Sequence, residues 1–267
     1  MRSMRWASLF ALLCFSFLVS LPAFAAMQAK PVEWKQGKQR FSGYLVYNDS
    51  NTTKRPGLMM VPDWKGVTPA SVEKAKLIAN AGYVVLVADV FGKGVRPKDD
   101  KAAGALVGKI YQDLPALRAR AAAALDFLRS QAATAPIDTN RIGAFGFCFG
   151  GKTVLELARS GADLAGVVSF HGGLSSPTPA DAKNIKAKVL VCHGADDPFV
   201  PADEVLAFQK EMREAKADWQ FVAYGGAVHS FTDKNAGNDN SKGAAYHAQA
   251  DLRSWREMKM FLDEVLR

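Results

Sequence analysis

The chain has 267 residues, of which 49% are hydrophobic and 22% charged, with 3 Cys and a formal net charge of +8. This composition excludes disordered, collagen-like and disulfide-stapled small proteins, because a chain with this much apolar surface can bury a sizeable core. The basic residues are interleaved with acidic ones, so the positive charge bears on solubility and nucleic acid is not an expected partner.

The first 26 residues have the layout of a secretory signal peptide. Two arginines precede an apolar run that ends at Leu21, and Ala23-Phe24-Ala25 forms an A-x-A cleavage site. We expect a mature domain over 27–267, a periplasmic or secreted location, and no membrane association after cleavage. The alternative is an uncleaved anchor, because the uncharged stretch is about long enough to span a bilayer.

Short apolar runs alternate with helical patterns along the rest of the chain. An edge hairpin is predicted first, at Pro31–Gln36 and Arg40–Tyr47. Buried strands are predicted at Gly57–Val61, Tyr83–Asp89, Arg141–Phe147, Leu164–Phe170, Lys188–His193 and Trp219–Tyr224. Helices are predicted at 69–81, 99–108, 113–132, 150–160, 202–217 and 243–266. This alternation predicts one α/β domain with a mostly parallel sheet and helices on both faces.

A candidate nucleophile stands where a predicted strand meets a predicted helix. The strand ends in Gly146-Phe147-Cys148-Phe149-Gly150, which is the pattern Gly-x-Ser-x-Gly with cysteine in place of serine. A sharp turn there would lift Cys148 above the sheet, and the helix N-terminus would favour its thiolate. The Phe149 backbone N–H is then placed to bind a developing oxyanion.

A cysteine nucleophile needs a base, and the base needs an orienting carboxylate. Asp197 follows one predicted strand and His229 follows the last one, which gives the chain order Cys148, Asp197, His229. This is the order of nucleophile, acid and base expected for such a strand-turn-helix nucleophile. Asp196 is the alternative acid.

The remaining histidines and cysteines suggest other roles. His171 lies at the end of the neighbouring strand and either packs or lines the pocket, whereas His193 and His247 are expected to be structural. Because no recognisable metal-ligand spacing occurs, no metal site is expected. Cys148 and Cys192 are predicted two strands apart, too far for a disulfide.

Three motifs resemble one known family. The segments GFCFGG at Gly146–Gly151, GADDPFVP around Asp197 and GGAVHSF around His229 are similar to the dienelactone hydrolases, a cysteine-nucleophile branch of the α/β-hydrolase superfamily. The similarity runs from about residue 32 to the C-terminus. It implies an α/β-hydrolase fold and hydrolysis of small esters and lactones by a Cys-His-Asp triad without a cofactor.

The resemblance also implies roles for residues outside the triad. By position, the Trp64 backbone N–H is the second oxyanion donor, and Asp63, where the family usually has Glu, is a candidate for thiol activation. Lys93 and Arg96 lie in a region where dienelactone enzymes hold the substrate carboxylate. The expected partner is therefore a small ester or lactone, anionic if these two cations serve, and the expected assembly is a monomer or small homo-oligomer.

The first functional hypothesis is an exported hydrolase that works through a thioacyl-enzyme. The alternative is a non-catalytic ligand-binding or thiol-sensing protein on the same scaffold, and the reactivity of Cys148 would distinguish the two.

Overall fold

A computed structural model describes residues 26–50 and 52–267. Apart from Ala26, the predicted export segment lies outside the described residues, so its cleavage stays a prediction. Within the described ranges, no helix combines the length and apolar character that crossing a membrane requires.

Eight strands form a mostly parallel sheet, as predicted, in the order β1-β2-β4-β3-β5-β6-β7-β8. The strands are β1 (Met27–Gln36), β2 (Gln39–Asn48), β3 (Arg55–Val61), β4 (Val84–Val87), β5 (Ile137–Phe147), β6 (Gly166–Phe170), β7 (Lys188–Gly194) and β8 (Trp219–Tyr224). Strands β3 to β8 pair in parallel, and the antiparallel hairpin of β1 and β2 forms one edge. The carboxyl ends of the parallel strands therefore meet along one edge of the sheet.

Six helices cover the two faces of this sheet. They are α1 (Pro69–Asn80), α2 (Asp100–Tyr111), α3 (Leu114–Ser130), α4 (Phe149–Arg159), α5 (Ala202–Ala215) and α6 (Ala248–Val265). One buried cluster joins the sheet to α3, α4 and α5, and the other joins it to α1 and α6. Alternate residues of β3 belong to opposite clusters, Met59 to the first and Met60 to the second. Successive side chains of a strand point to opposite faces of the sheet, so one continuous apolar run contributes residues to both cores.

The largest differences between predicted and observed starts are those of β1, β5 and α6, and β1 starts at Met27, not Pro31. Strand β5 starts at Ile137, not Arg141, because its polar first residues still pair with β3 before a register shift between Pro56 and Gly57. Helix α6 starts at Ala248, not 243, because His247 is its N-cap and accepts a hydrogen bond from the Ala250 N–H at 3.2 Å. Capping is a structural role for His247.

A buried ion network anchors α4, the helix that follows Cys148. Arg159 is fully buried and bonds Glu156 at 2.9 Å and Glu211 of α5 at 2.7 Å. Arg118 of α3 bonds the same Glu156 at 2.7 Å. The network thus ties α4 to both neighbouring helices, and removing one partner would leave buried carboxylates uncompensated.

We expect Arg159→Met to lower the free energy of unfolding by about 3–5 kcal/mol, because the Glu211 carboxylate would stay buried without its cation. Chemical denaturation measures this loss. The matched control is Lys210→Met on α5, whose pairing with Glu214 is exposed and which should change stability by less than about 1 kcal/mol. Equal losses in the two variants would contradict a stabilising role for the network.

Candidate active site

Cys148 occupies the sharp turn between β5 and α4. Its backbone has φ 52° and ψ −115°, a strained conformation for a residue with a side chain. A Cβ on Gly146 would collide with the backbone of Gly150, and one on Gly150 would collide with the backbone of Val61. The spacing Gly-x-Cys-x-Gly is therefore a steric requirement of this turn.

The structure brings Cys148, Asp197 and His229 together. His229 Nδ1 lies 2.7 Å from Asp197 Oδ2, and the other carboxylate oxygen accepts the Phe199 N–H at 2.9 Å. The Cys148 side chain is the other group that interacts with the His229 ring and raises its pKa. All three residues lie after the carboxyl ends of parallel strands, where α/β folds place their sites.

The electrostatics of His229 favour its charged form. Burial alone would lower its pKa, but the hydrogen bonds and negative charges of Asp197 and Cys148 raise the pKa of His229 to about 10. Near neutral pH this arrangement places an imidazolium beside the Cys148 sulfur.

The alternatives to these residues have other partners. Asp196 is exposed and accepts the Gly226 N–H at 3.0 Å. His193 is buried, with its ring centroid 5.3 Å from that of Phe221. Cys192 is free and buried, the Tyr224 hydroxyl contacts its sulfur at 3.6 Å, and burial raises the pKa of its thiol to about 12. Cys148 is also free, so the two cysteines form no disulfide, as predicted.

Two backbone amides flank the elbow. Phe149 is the first residue of α4, so its N–H has no partner inside the helix. Trp64 lies in the loop after β3, next to the elbow, because the Val61 and Pro62 carbonyls lie against Gly150. No hydrogen-bond acceptor within the described ranges takes the Trp64 N–H.

Asp63 faces another cavity. Its Oδ1 accepts the Lys65 N–H at 2.8 Å, and burial raises the pKa of its carboxyl. Asp63 lines a cavity of about 140 Å³ together with Lys74 and Asp233. Cys148 is not among the charges that act on Asp63, and activation of the thiol by Asp63 stays a prediction.

The two predicted anion-binding cations have partners elsewhere. Lys93 is exposed and pairs with Glu33 at 2.5 Å. Arg96 donates to the Val67 carbonyl at 3.0 Å and lies 3.5 Å from Asp89. Neither pairs with a triad residue, so their contact with substrate also stays a prediction.

His171 packs against the base. It is buried, its ring centroid is 5.3 Å from that of His229, and its Nε2 lies 2.9 Å from the Thr232 hydroxyl. Burial, and then the charge of His229, hold the pKa of His171 well below its ordinary value. A neutral ring therefore supports the loop that carries His229, which matches the packing alternative.

A large cavity of the molecule lies apart from the triad residues. It has a volume of about 690 Å³, lies between α1 and α6, and is lined by apolar side chains such as Leu77 and Trp255. In the part of the chain that the structure describes, no group of three or more His, Cys, Asp or Glu is placed to hold a metal ion. The chemistry therefore concentrates at the elbow.

Comparison with known proteins decides the family. The model of the dienelactone hydrolase family matches residues 41–266. The chain belongs to the dienelactone hydrolase family. Its sheet and elbow are those of the α/β-hydrolase fold, and, as a member of this family, it is a hydrolase of carboxylic esters or lactones.

Individual relatives agree with this assignment. An uncharacterized protein of Caenorhabditis elegans is 38% identical over 56% of this chain and 94% of its own. A Yersinia pestis protein named "Putative carboxymethylenebutenolidase" is 25% identical over 80% of each chain. The crystal structure of a dienelactone hydrolase-like promiscuous phosphotriesterase from metagenomic libraries superposes with a TM-score of 0.84. It is 40% identical and covers 91% of this chain and 100% of its own.

Two aromatic residues near the site were not singled out from the sequence. Phe199 is 59% exposed and its ring centroid is 5.4 Å from that of His229, so it covers the base from solvent. Tyr111 ends α2 and contacts Phe149. Phe199 lies two residues after Asp197 and could have been found from that spacing, whereas no local motif marks Tyr111.

We expect an NMR titration of the His229 ring to give a midpoint near pH 10, and Asp197→Asn to lower that midpoint by removing a stabilising carboxylate. Because the folded pKa lies above the ordinary 6.5, protonated His229 stabilises the fold fully below about pH 6.5 and loses this effect as pH rises through about 10. The difference in unfolding free energy between wild type and Asp197→Asn should shrink across that window. A wild-type midpoint near 6.5 would refute the charged pair.

Proposed function

We propose that this hydrolase cleaves small carboxylic esters and lactones through Cys148, His229 and Asp197 and a thioacyl-enzyme. The observation that carries the proposal is the 2.7 Å contact between Asp197 and His229, together with the interaction of His229 with Cys148 at the strained elbow. The nucleophile, the base and the orienting carboxylate thus stand in the geometry that covalent catalysis needs.

The reaction follows from the charges at the site. The Cys148 thiolate attacks the carbonyl carbon, and its electron pair forms the C–S bond while the carbonyl oxygen becomes an oxyanion. The His229 imidazolium then gives its proton to the leaving alkoxide as the C–O bond breaks. Neutral His229 next takes a proton from water, whose oxygen attacks the thioester, and release of the acid restores the thiolate and imidazolium.

Backbone amides are the proposed support for the oxyanion. The N–H groups of Phe149 and Trp64 lie on either side of the elbow and are not used inside a helix or by another carbonyl. Donors fixed before the reaction cost no reorganisation when charge develops on the oxygen. Loss of one such donor typically costs about 100-fold or more in rate.

The alternative, a binding or sensing protein without catalysis, fits the site less well. A sensor needs an accessible, low-pKa thiol, but it needs neither an orienting carboxylate behind the base nor two unused amides beside the sulfur. The site holds all of these together.

Cys148→Ala should lower kcat/KM for p-nitrophenyl acetate and for a panel of small lactones by about 1,000-fold or more. The matched control is Cys192→Ala, which removes a buried thiol remote from the base and should leave these rates within about twofold. Mass spectrometry of wild type quenched during turnover should find the acyl group on the peptide that contains Cys148. Retention of most activity in Cys148→Ala would refute the assignment.

A second candidate activity is hydrolysis of phosphotriesters at the same cysteine. It is supported by the 40% identity to the structure described as a promiscuous phosphotriesterase. The Cys148 thiolate would attack phosphorus, and His229 would give its proton to the leaving oxygen as the P–O bond breaks. Water activated by neutral His229 would then hydrolyse the S–P bond.

We expect paraoxon to be hydrolysed, with a rate well below that for p-nitrophenyl acetate, and we expect Cys148→Ala to abolish both activities. Release of p-nitrophenol measures both reactions. A paraoxon rate that is unchanged in Cys148→Ala would show that any such activity uses other residues.

A further inference from the structure

Tyr111 lies beside the nucleophile without belonging to the triad. It is the last residue of α2, and its ring centroid is 5.6 Å from that of Phe149. The Lys152 ammonium lies 5.0 Å from the centre of the Tyr111 ring, a distance typical of a cation–π contact. The phenol is therefore held against the first turn of α4, next to Cys148.

The hydroxyl of Tyr111 has no protein partner. Within the ranges that the structure describes, no group donates a hydrogen bond to its oxygen or accepts one from it. Unlike the unpartnered polar atoms of Trp34 and Ser169, this oxygen is not fully buried. Solvent thus reaches this oxygen although most of the ring is covered. A tyrosine hydroxyl on a largely buried ring usually has a hydrogen-bond partner, so a ligand is the natural partner here.

Tyr111 lies on the side of Cys148 away from the base. Tyr111 and Phe149 pack in the buried cluster on the side of α3, α4 and α5, whereas Phe231, two residues after His229, packs in the cluster on the other face of the sheet. Burial raises the pKa of Tyr111 first, and the negative charge of Cys148 raises it further. The leaving group must face His229, which protonates it. Tyr111 therefore faces the acyl part of a bound ester, and it stays protonated and able to donate.

Helix α2 also reaches the oxyanion loop. The Trp64 ring lies 3.9 Å from the position of a Cβ on Gly104, two turns before Tyr111. The helix thus runs along the site from Trp64 to Tyr111 as one wall.

The charges near Tyr111 largely balance one another. The Lys152 ammonium bonds the Ser175 carbonyl at 2.7 Å, and the Glu204 carboxylate accepts the Ser175 N–H at 2.9 Å, so opposite charges meet at the same residue. The Glu156 carboxylate is already paired with two arginines. With the nearby cations already paired, no free positive charge would offset the cost of burying a carboxylate, so recognition here would rest on a hydrogen bond to a neutral acceptor.

We propose that Tyr111 determines acyl specificity, that its hydroxyl donates a hydrogen bond to a neutral oxygen of the acyl group, such as a ketone or hydroxyl, and that Lys152 holds the ring in place. The proposal rests on the function proposed above, because the acyl side is defined relative to Cys148 and His229. The preferred substrates are then esters or lactones of oxo- or hydroxyacids.

The test compares p-nitrophenyl 4-oxopentanoate with p-nitrophenyl pentanoate, which differ by one ketone and share a leaving group. Wild type should prefer the oxo ester in kcat/KM. Tyr111→Phe, which keeps the ring, should reduce this preference about three- to tenfold and leave the pentanoate rate within twofold. The control Tyr44→Phe removes a hydroxyl from β2, outside the site, and should change neither rate.

Two further arms test the role of charge. Lys152→Met should reduce the preference by a smaller factor, and adding it to Tyr111→Phe should reduce it no further, because both act on one contact. The p-nitrophenyl hemisuccinate should not outperform the butanoate in wild type. A hemisuccinate preference that disappears in Lys152→Met would overturn the neutral acceptor and assign an anion site to Lys152.

Two other outcomes would overturn the proposal. The first is the absence of any wild-type preference for the oxo ester. The second is an equal loss for both esters in Tyr111→Phe, which would mean that the phenol packs or binds the oxyanion. The preference is a ratio of two kcat/KM values measured in active enzyme. Its absence would count against the role of Tyr111, whereas Cys148→Ala tests the triad separately.

Discussion

The strained turn at Cys148 is the constraint on which the rest of the site depends. A cysteine at φ 52° persists only if the surrounding structure holds it there. The Cys148 N–H bonds the Phe170 carbonyl at 3.0 Å, its carbonyl accepts the Lys152 N–H at 3.2 Å, and the two flanking glycines allow the backbone of β3 to approach. The same turn exposes the sulfur and opens the helix N-terminus beside it.

The helix after this turn needs an anchor of its own. Without one, the local strain could relax by a small rotation of α4, which would move the sulfur away from His229. Buried ion pairs between Arg159 and two glutamates fix α4 to α5, and Arg118 fixes it to α3. Such pairs contribute little net stability compared with apolar packing, but they permit few alternative arrangements. Their position under the nucleophile is consistent with a role in holding geometry.

The base is held from three directions. Asp197 bonds its ring at 2.7 Å, the buried and neutral His171 packs against it, and exposed Phe199 covers it. A neutral neighbour does little to offset the attraction of Asp197 and Cys148 for the imidazolium. The raised pKa of His229 thus depends on its direct partners Asp197 and Cys148, which outweigh the opposite effect of burial.

Local sequence determined the fold class and the strand and helix order, and it singled out Cys148, Asp197 and His229 as the proposed triad. Apolar runs of strand length mark buried parallel strands because both of their faces are covered, and the glycines around Cys148 mark a turn that only small neighbours allow. Element ends were less certain from sequence: α6 begins at its His247 cap, and β5 includes polar residues before a register shift. Only tertiary structure could decide the start of β5, because its partner strand β3 is distant in the chain. The His247 cap is local, but histidine is not among the residues usually preferred at that position.

The tertiary structure also decided what surrounds the triad. Position along the chain placed Lys93 and Arg96 near the substrate, but the fold gives them Glu33 and the Val67 carbonyl as partners. It brings Tyr111 and Lys152 to the elbow instead, although 37 residues of chain separate Tyr111 from Cys148. Side chains that recognise a substrate come together across elements, so no local pattern records them. The sequence by itself determined which residues can react, and packing decided which residues lie beside them.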